Sequence, residues 1–189
     1  MKASTLERLR ESAAAEGLLD VAYTSTDSPF GPLLLAQTKR GLVRVGLPNQ
    51  DAEELLGDLS ARVSPRVLEA PAAFDEARRE LDLYFERKLE RFRLPLDWRL
   101  SDGFQLAVQR RIARIPYGRT RTYTEMARSA GNERAVRAAG TACGRNPLPL
   151  VVPCHRVLRV GGGLGGYGGG LEMKRGLLEL EGVLAAQSS

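Results

Sequence analysis

The chain has 189 residues, of which 43% are hydrophobic and 27% are charged, and its formal net charge is +5. This composition is typical of a soluble globular protein and argues against disorder, and no apolar run approaches the roughly 20 residues that a membrane helix needs. Two cysteines and one histidine are too few for a disulfide framework or a usual zinc site.

The opening, MKASTLERLRES, lacks an apolar h-region, so we expect no signal peptide. The small number of cysteines favours a reducing compartment. We therefore expect a cytoplasmic protein, associated with the nucleoid if the source is bacterial, with no membrane partner.

The first half of the chain is predicted to be an α+β scaffold. Strands are expected over residues 19–26, 33–37 and 42–47, because SPFGP and TKRG mark turns between them. These strands would form a small antiparallel sheet. Apolar residues at helical spacing predict helices over 51–63 and 72–89. No catalytic constellation is present in this half.

Residues 97–102 resemble a boundary, which divides the chain into an N-terminal domain, 1–96, and a C-terminal domain, 97–189. The N-terminal domain carries 14 Lys and Arg against 16 Asp and Glu, whereas the C-terminal domain carries 14 against 7. The excess positive charge suggests a polyanionic partner, although for the charge alone a solvated basic surface is the first interpretation.

The C-terminal domain contains a candidate helix-turn-helix. A helix is predicted from residue 104 to the break at IPYGRT, and Thr122 and Glu125 then fit a capping box that opens a helix to about residue 130. Gly131-Asn132 turns the chain into a second helix over 133–143. Two short helices joined by such a turn, in the basic half, are typical of this DNA-binding motif.

The second helix, ERAVRAAGTACG, combines small residues such as Ala135 and Ala138 with the long cationic Arg134 and Arg137. Small side chains allow close approach to another surface. That surface could be another helix, or it could be the DNA minor groove, which is only about 6 Å wide. The arginines favour nucleic acid.

A glycine-rich loop at 161–170 includes a match to G-x-G-x-x-G that ends at Gly168. The dinucleotide-binding motif requires a βαβ unit, and the 21 residues after Gly168 leave no room for its second strand. The loop instead predicts a backbone that approaches another group closely, the alternative being a flexible linker. Leu164 and Tyr167 are typical of a pocket wall.

The segment VVPCHRV places Cys154 beside His155, the only histidine. Sequence neighbours project about 100° apart on a helix and to opposite faces of a strand, so a direct thiol–imidazole hydrogen bond is awkward and a bridging water is easier. A cysteine hydrolase would also need a third orienting group and an oxyanion hole, for which no signature is present.

Three segments, IPYGRTRTYTEMA, AVRAAGTACGRNPLPLVVPCHRV and GGLEMKRGLLELEG, closely resemble the O6-alkylguanine-DNA alkyltransferases. The likeness extends from about residue 115 to 182, and the N-terminal half resembles the family only in layout. The resemblance implies an α+β fold class, with an RNase H-like N-terminal domain and a mainly helical, winged-helix-like C-terminal domain.

The resemblance also implies catalytic roles. Cys154 would accept the alkyl group, His155 would act as its base through a water, and Glu181 would orient the imidazole. Asn146 would be a hinge between the recognition helix and the active-site turn. Tyr123 would help to rotate the target nucleotide out of the helix and would donate a proton toward guanine N3.

The remaining implied roles concern DNA and the base. Arg137 would fill the gap left by the rotated nucleotide, on a DNA-binding surface shared with Arg134, Ala135 and Ala138. The pocket is implied to contain backbone or side-chain groups of Pro149, Val157, Leu164, Tyr167 and Gly168. Gly168 departs from the family, where Ser or Ala is usual, which puts the substrate range in doubt. Cys143 is expected to serve packing.

The predicted function is direct reversal of O6-alkylguanine damage in double-stranded DNA, bound through the minor groove, with O4-alkylthymine as a possible second substrate. We expect a monomer that turns over once without a cofactor, because the alkyl thioether is not easily cleaved at neutral pH. No metal is expected, since no Cys or His precedes Cys143. The alternative is a non-catalytic damage sensor or helix-turn-helix regulator, for which Cys154 would have no use.

Overall fold

A computed structural model describes residues 20–185. Its N-terminal half contains a four-stranded sheet with the strand order β3-β2-β1-β4. The elements in chain order are β1 (Val21–Thr26), β2 (Leu33–Thr38), β3 (Gly41–Gly46), α1 (Ala52–Arg62), β4 (Val67–Glu69), a 3-10 helix (Pro71–Phe74) and α2 (Asp75–Phe85).

The sheet is mixed, which corrects the expected antiparallel sheet. Strands β1, β2 and β3 form the predicted antiparallel meander, but β4 pairs in parallel with β1 after the crossover through α1. The sequence VLE of β4 has only three residues, which is too short for alternation to reveal a strand.

The predicted helix over 72–89 was too long at both ends. Pro71 opens a 3-10 turn, and Arg87 adopts a left-handed φ of 60° that ends the helix after Phe85. The N–H of Lys88 closes this end by donating to the Leu83 carbonyl at 2.7 Å. The apolar residues beyond Phe85 pack against the core although they lie outside the helix. Their spacing therefore made the predicted helix too long.

Alternating side chains of the sheet pack into two hydrophobic clusters, as the two-residue period of a strand requires. The smaller cluster includes Val21, Ala36 and Val43 and lies under Leu59 of α1. The larger cluster covers the other face and continues through α2 into the C-terminal half. The N-terminal sheet is therefore packed against the part of the chain that carries the candidate site.

The C-terminal half is mainly helical. Its elements are α3 (Gly103–Ile112), β5 (Arg121–Thr122), α4 (Tyr123–Ser129), α5 (Val136–Gly144), a 3-10 helix (Cys154–Arg156), β6 (Val157–Leu158) and α6 (Gly170–Leu180). Strands β5 and β6 are parallel. Within residues 20–185, no helix is long and apolar enough to cross a membrane.

The helix-turn-helix pair is present as α4 and α5. The predicted capping box is complete, since the Thr122 hydroxyl accepts from the Glu125 N–H and the Glu125 carboxylate accepts from the Thr122 N–H. Helix α5 begins three residues later than expected. Its start is delayed because the Ala135 N–H donates to the Asn132 carbonyl at 3.0 Å in a turn, so Arg134 and Ala135 precede the helix.

The connector between the halves is hydrogen-bonded to the edge of the sheet. The Leu42 N–H donates to the Pro95 carbonyl at 2.8 Å, and the Leu42 carbonyl accepts from the Asp97 N–H at 2.8 Å. Gly41, at φ +126°, makes this approach possible, because a Cβ there would lie 2.1 Å from the Pro95 oxygen. The division of the chain at residue 97 stays a prediction.

Gly41→Ala is expected to lower the free energy of unfolding by about 2 kcal/mol or more, since it combines a strained φ with a backbone clash. Gly57→Ala is the matched control: Gly57 lies in α1 with nothing within 4 Å of its missing Cβ, so alanine should stabilise by about 1 kcal/mol. Urea unfolding of both variants checks this, and equal effects would contradict the proposed role of Gly41.

Candidate active site

Cys154 begins the short 3-10 helix after Pro153 and is 5% exposed. Burial raises the pKa of its thiol, while the side-chain amide of Asn146 and the nearby backbone N–H groups of Cys154 and His155 act in the opposite direction. Because the thiolate is the nucleophilic form, a thiol in this position needs a base to accept its proton when it reacts.

His155 is fully buried, and its Nε2 lies 2.8 Å from Oε1 of Glu181. Its other nitrogen, Nδ1, is buried and has no hydrogen-bond partner among the described protein atoms. Burial lowers the pKa of the imidazole, against the opposing effect of Glu181. The imidazole is thus neutral, and a proton on Nε2, donated to the carboxylate, leaves Nδ1 as the basic atom.

Glu181 caps the C-terminal end of α6 and is the centre of a buried hydrogen-bond network. Its carboxylate accepts from Tyr84 Oη at 2.7 Å and from His155 Nε2 at 2.8 Å. Arg156 adds two donors, Nε at 2.8 Å and Nη2 at 2.9 Å. Burial by itself would raise the pKa of Glu181, but the hydrogen bonds from His155 and Arg156 lower it to about 2.

Arg156 and Tyr84 were not predicted as site residues. Arg156 also donates to the Ile115 carbonyl at 2.6 Å, so it joins the 3-10 helix that begins at Cys154 to the segment that follows α3. An arginine inside the apolar run around PCHRV could have indicated a buried ion pair. Tyr84 gave no comparable signal, because its place on the apolar face of α2 matches that of any core aromatic.

Asn146 closes the turn that leads from α5 to Cys154. Its Nδ2 donates to the Val152 carbonyl at 2.7 Å, and its Oδ1 accepts from the Leu148 N–H at 3.1 Å. Leu150, inside this turn, is held at a left-handed φ of 72°. This amide side chain therefore holds the turn together with the backbone bond from the Val152 N–H to the Leu148 carbonyl at 2.8 Å, a geometry consistent with the hinge implied by the resemblance.

Lys174 anchors the glycine-rich loop and was also missed. The side chain is fully buried, and its Nζ donates to the carbonyls of Val157 at 2.7 Å and Gly166 at 3.4 Å, and to that of Leu164. Burial lowers the pKa of Lys174 to about 8. The sequence signal that could have indicated its role was a lysine at an apolar position of α6. Its hydrogen bonds to the loop argue against the alternative that residues 161–170 are a flexible linker.

The predicted pocket residues lie before and after the 3-10 helix that begins at Cys154. Pro149 and Val157 are buried, whereas Leu164 and Tyr167 are partly buried and Gly168 is exposed. The Tyr167 ring stands edge-on to His155 at a centroid distance of 6.3 Å.

Two backbone groups of this pocket are already engaged. The Val157 carbonyl accepts from Lys174 Nζ at 2.7 Å. The Gly168 carbonyl accepts from Asn49 Nδ2 at 2.8 Å, so the N-terminal half contacts the loop directly. Tyr123 packs on the same loop, where a Cβ at Gly165 would lie 2.7 Å from its hydroxyl.

The outer surface of α5 presents Arg137 and Ala138, both exposed, and Arg134 is exposed just before the helix, beside the partly buried Ala135. The inner face packs Ala139, Ala142 and Cys143 into the core. Small residues therefore serve helix packing on one face and leave the other face open. Burial raises the pKa of Cys143 to about 12, with a further effect of Cys154, in keeping with a packing role.

Residues 21–98 match the profile of the ribonuclease-like domain of 6-O-methylguanine DNA methyltransferase, and residues 103–183 match that of its DNA binding domain. The chain belongs to this family. The α+β fold class and the family resemblance are thereby confirmed, with the sheet corrected to a mixed one.

Individual relatives agree. The methylated-DNA–protein-cysteine methyltransferase of Methanosarcina barkeri is 42% identical over 159 residues, which cover 84% of this chain and 96% of the relative. The Mycobacterium bovis protein of the same name is 42% identical over 161 residues, with 85% and 92% covered. The crystal structure of Mycobacterium tuberculosis OGT in complex with DNA matches at a TM-score of 0.75 and 41% identity, covering 85% of this chain and 92% of that one.

Glu181→Gln is expected to lower the free energy of unfolding by about 3 kcal/mol at pH 7, because it leaves the Arg156 charge buried without its counter-charge. The pKa of Glu181 falls from 4.5 to about 2 on folding. The ionised carboxylate therefore stabilises the fold fully above about pH 5, and this contribution is lost as the pH falls toward 2.

The stability difference between the wild type and Glu181→Gln should accordingly shrink between pH 5 and pH 3 in urea unfolding. Tyr84→Phe is the matched control, since it removes one hydrogen bond to the same carboxylate but no charge; about 1 kcal/mol is expected, with little change over this range. A constant difference for Glu181→Gln would contradict the assigned charge.

Proposed function

We propose that this protein reverses O6-alkylguanine damage in double-stranded DNA by transferring the alkyl group to Sγ of Cys154. The observation that carries the proposal is the buried thiol beside a neutral imidazole whose far nitrogen is held by Glu181 at 2.8 Å. Membership of a methyltransferase family whose C-terminal profile is a DNA binding domain supports the same reaction.

In the proposed reaction the thiol proton passes to His155 Nδ1 through a water, and Sγ attacks the alkyl carbon. The bond from that carbon to O6 breaks as the S–C bond forms, and the electron pair stays on guanine. Glu181 stabilises the imidazolium that results. The reaction has no hydrolytic step and therefore needs no oxyanion hole. The only role of Glu181 in it is to orient and stabilise the His155 imidazole.

Tyr123 is proposed to neutralise the departing guanine by donating a proton toward N3 and to be reprotonated afterwards. Burial, together with the nearby Cys143 and Cys154, raises the pKa of Tyr123 to about 12. The phenol therefore keeps its proton at neutral pH, as a donor must. Asn146 is proposed to hold the turn that presents the sulfur to the base.

The product is a thioether on Cys154, and the thiolate of Cys154 is a poor leaving group at neutral pH, so we expect the S–C bond to persist. We therefore propose one turnover per molecule without a cofactor. Gly168 and the loop around it are proposed to set the accepted alkyl size and any reaction with O4-alkylthymine. The monomeric state and the cytoplasmic location stay predictions.

We further propose that α5 enters the minor groove and that Arg137 fills the gap left by the rotated nucleotide, with Arg134, Ala135 and Ala138 beside it. The support is the exposure of Arg137 and Ala138 on the outer face of α5. A base that reacts within a duplex must first leave the stack, which costs a few kcal/mol. A sensor or regulator would share this surface but would have no use for the Cys154–His155–Glu181 arrangement.

Incubation with a duplex that contains O6-methylguanine should add one methyl group to the tryptic peptide carrying Cys154, and no more than one per protein. Cys154→Ser should abolish the mass gain while DNA binding is retained. Cys143→Ser is the matched control and should still be methylated. An unmodified peptide from the wild type, together with tight DNA binding, would favour the sensor instead.

Arg137→Ala is expected to slow repair of duplex DNA at least tenfold, since each kcal/mol of lost stabilisation of the extrahelical nucleotide lowers the rate severalfold. Reaction with free O6-benzylguanine should be unchanged, because the free base leaves no gap to fill. Arg79→Ala, an exposed position in α2, controls for loss of charge. Equal losses on both substrates would refute the role of Arg137.

A further inference from the structure

A tight turn directly after β6 carries an arginine at the edge of the candidate pocket. In this turn, residues 159–163, the Arg159 N–H donates to the Gly163 carbonyl at 2.8 Å and the Gly162 N–H donates to the Arg159 carbonyl at 3.1 Å. Three of its five residues are glycines. The turn therefore presents only two side chains, Arg159 and Val160, and its own backbone hydrogen bonds hold the backbone from which they project.

The parallel pairing of β5 and β6 places this arginine beside Tyr123. Thr122 pairs with Leu158, so the next residue of each strand, Tyr123 and Arg159, leaves the sheet at the same edge. Burial raises the pKa of Tyr123, and the charge of Arg159 lies close enough to act in the opposite direction. Arg159 thus lies at the side of the pocket where Tyr123 is found.

The charge of Arg159 is not neutralised there. The side chain is exposed, and within residues 20–185 no carboxylate forms an ion pair with it. Glu125, at the start of α4, is engaged by Arg121 and by Thr122. Lys174, the other cation of this region, directs its Nζ to backbone carbonyls.

Val160, the second side chain of the turn, is 75% exposed, the most exposed large hydrophobic residue among those described. An apolar side chain next to a free cation, both on a turn with fixed geometry, is a surface suited to a sugar–phosphate backbone, which presents an apolar sugar beside each negative charge.

We propose that Arg159 binds the backbone phosphate adjoining the rotated nucleotide, with Val160 against the neighbouring deoxyribose. The inference rests on the proposed function, since a nucleotide whose base enters the pocket keeps its phosphates at the entrance. This proposed contact differs from that of α5. Arg159 would hold the strand that carries the lesion at the pocket, whereas Arg137 would fill the gap that the rotated nucleotide leaves in the duplex.

The test compares Arg159→Ala with the wild type on three substrates: a duplex with O6-methylguanine, the same duplex with neutral methylphosphonates replacing the phosphates that flank the lesion, and free O6-benzylguanine. On the ordinary duplex the variant should react about tenfold more slowly, and the slope of log affinity against log salt should decrease by about one. On free O6-benzylguanine the two proteins should react equally.

The methylphosphonate duplex should slow the wild type by a similar factor and should slow Arg159→Ala little further, because the partner of the arginine is already missing. Arg79→Ala again serves as the control and should match the wild type on every substrate. Arg159→Lys should recover part of the rate and the full salt slope, as a second cation would.

The inference is overturned if Arg159→Ala reacts with the ordinary duplex as fast as the wild type, or if it loses the same factor on free O6-benzylguanine. Additive losses from the variant and the methylphosphonates would also overturn it. Failure of the proposed function is a different result, since the wild type itself would then leave every substrate alkylated.

Discussion

The candidate site depends on one buried carboxylate. Glu181 holds the imidazole of His155, the guanidinium of Arg156 and the hydroxyl of Tyr84 within 2.9 Å. Removal from water makes an ionised carboxylate costly unless donors surround it. These donors keep the pKa of Glu181 near 2, so the carboxylate is charged at neutral pH, as the proposed stabilisation of an imidazolium at His155 requires.

This arrangement links the two halves of the molecule through the candidate site. Tyr84 comes from α2 of the N-terminal half, and Asn49 reaches the glycine-rich loop at Gly168. The N-terminal half therefore contributes side chains that contact the candidate site directly. Changes in its packing would reach the imidazole through Tyr84 and Glu181, and the glycine-rich loop through Asn49.

Backbone carbonyls held by side chains shape the rest of the site. Asn146 fixes the turn before Cys154, and Lys174 fixes the loop after it. Both side chains satisfy polar backbone groups that an irregular buried segment would otherwise leave unpaired. These hydrogen bonds order the irregular segments before and after Cys154.

The sequence by itself determined the features that neighbouring residues encode: the capping box of Thr122 and Glu125, the meander of β1 to β3, and the adjacent thiol and imidazole. Its motifs also indicated the family, and with it Glu181. It did not reveal β4, the late start of α5 or the early end of α2, because short elements give too little periodicity.

Tertiary structure alone decided that Tyr84, 97 residues from Glu181, and Lys174 belong to the candidate site. A local pattern records propensity and hydrogen bonds between neighbours, whereas contacts between distant residues exist only after the whole core has packed.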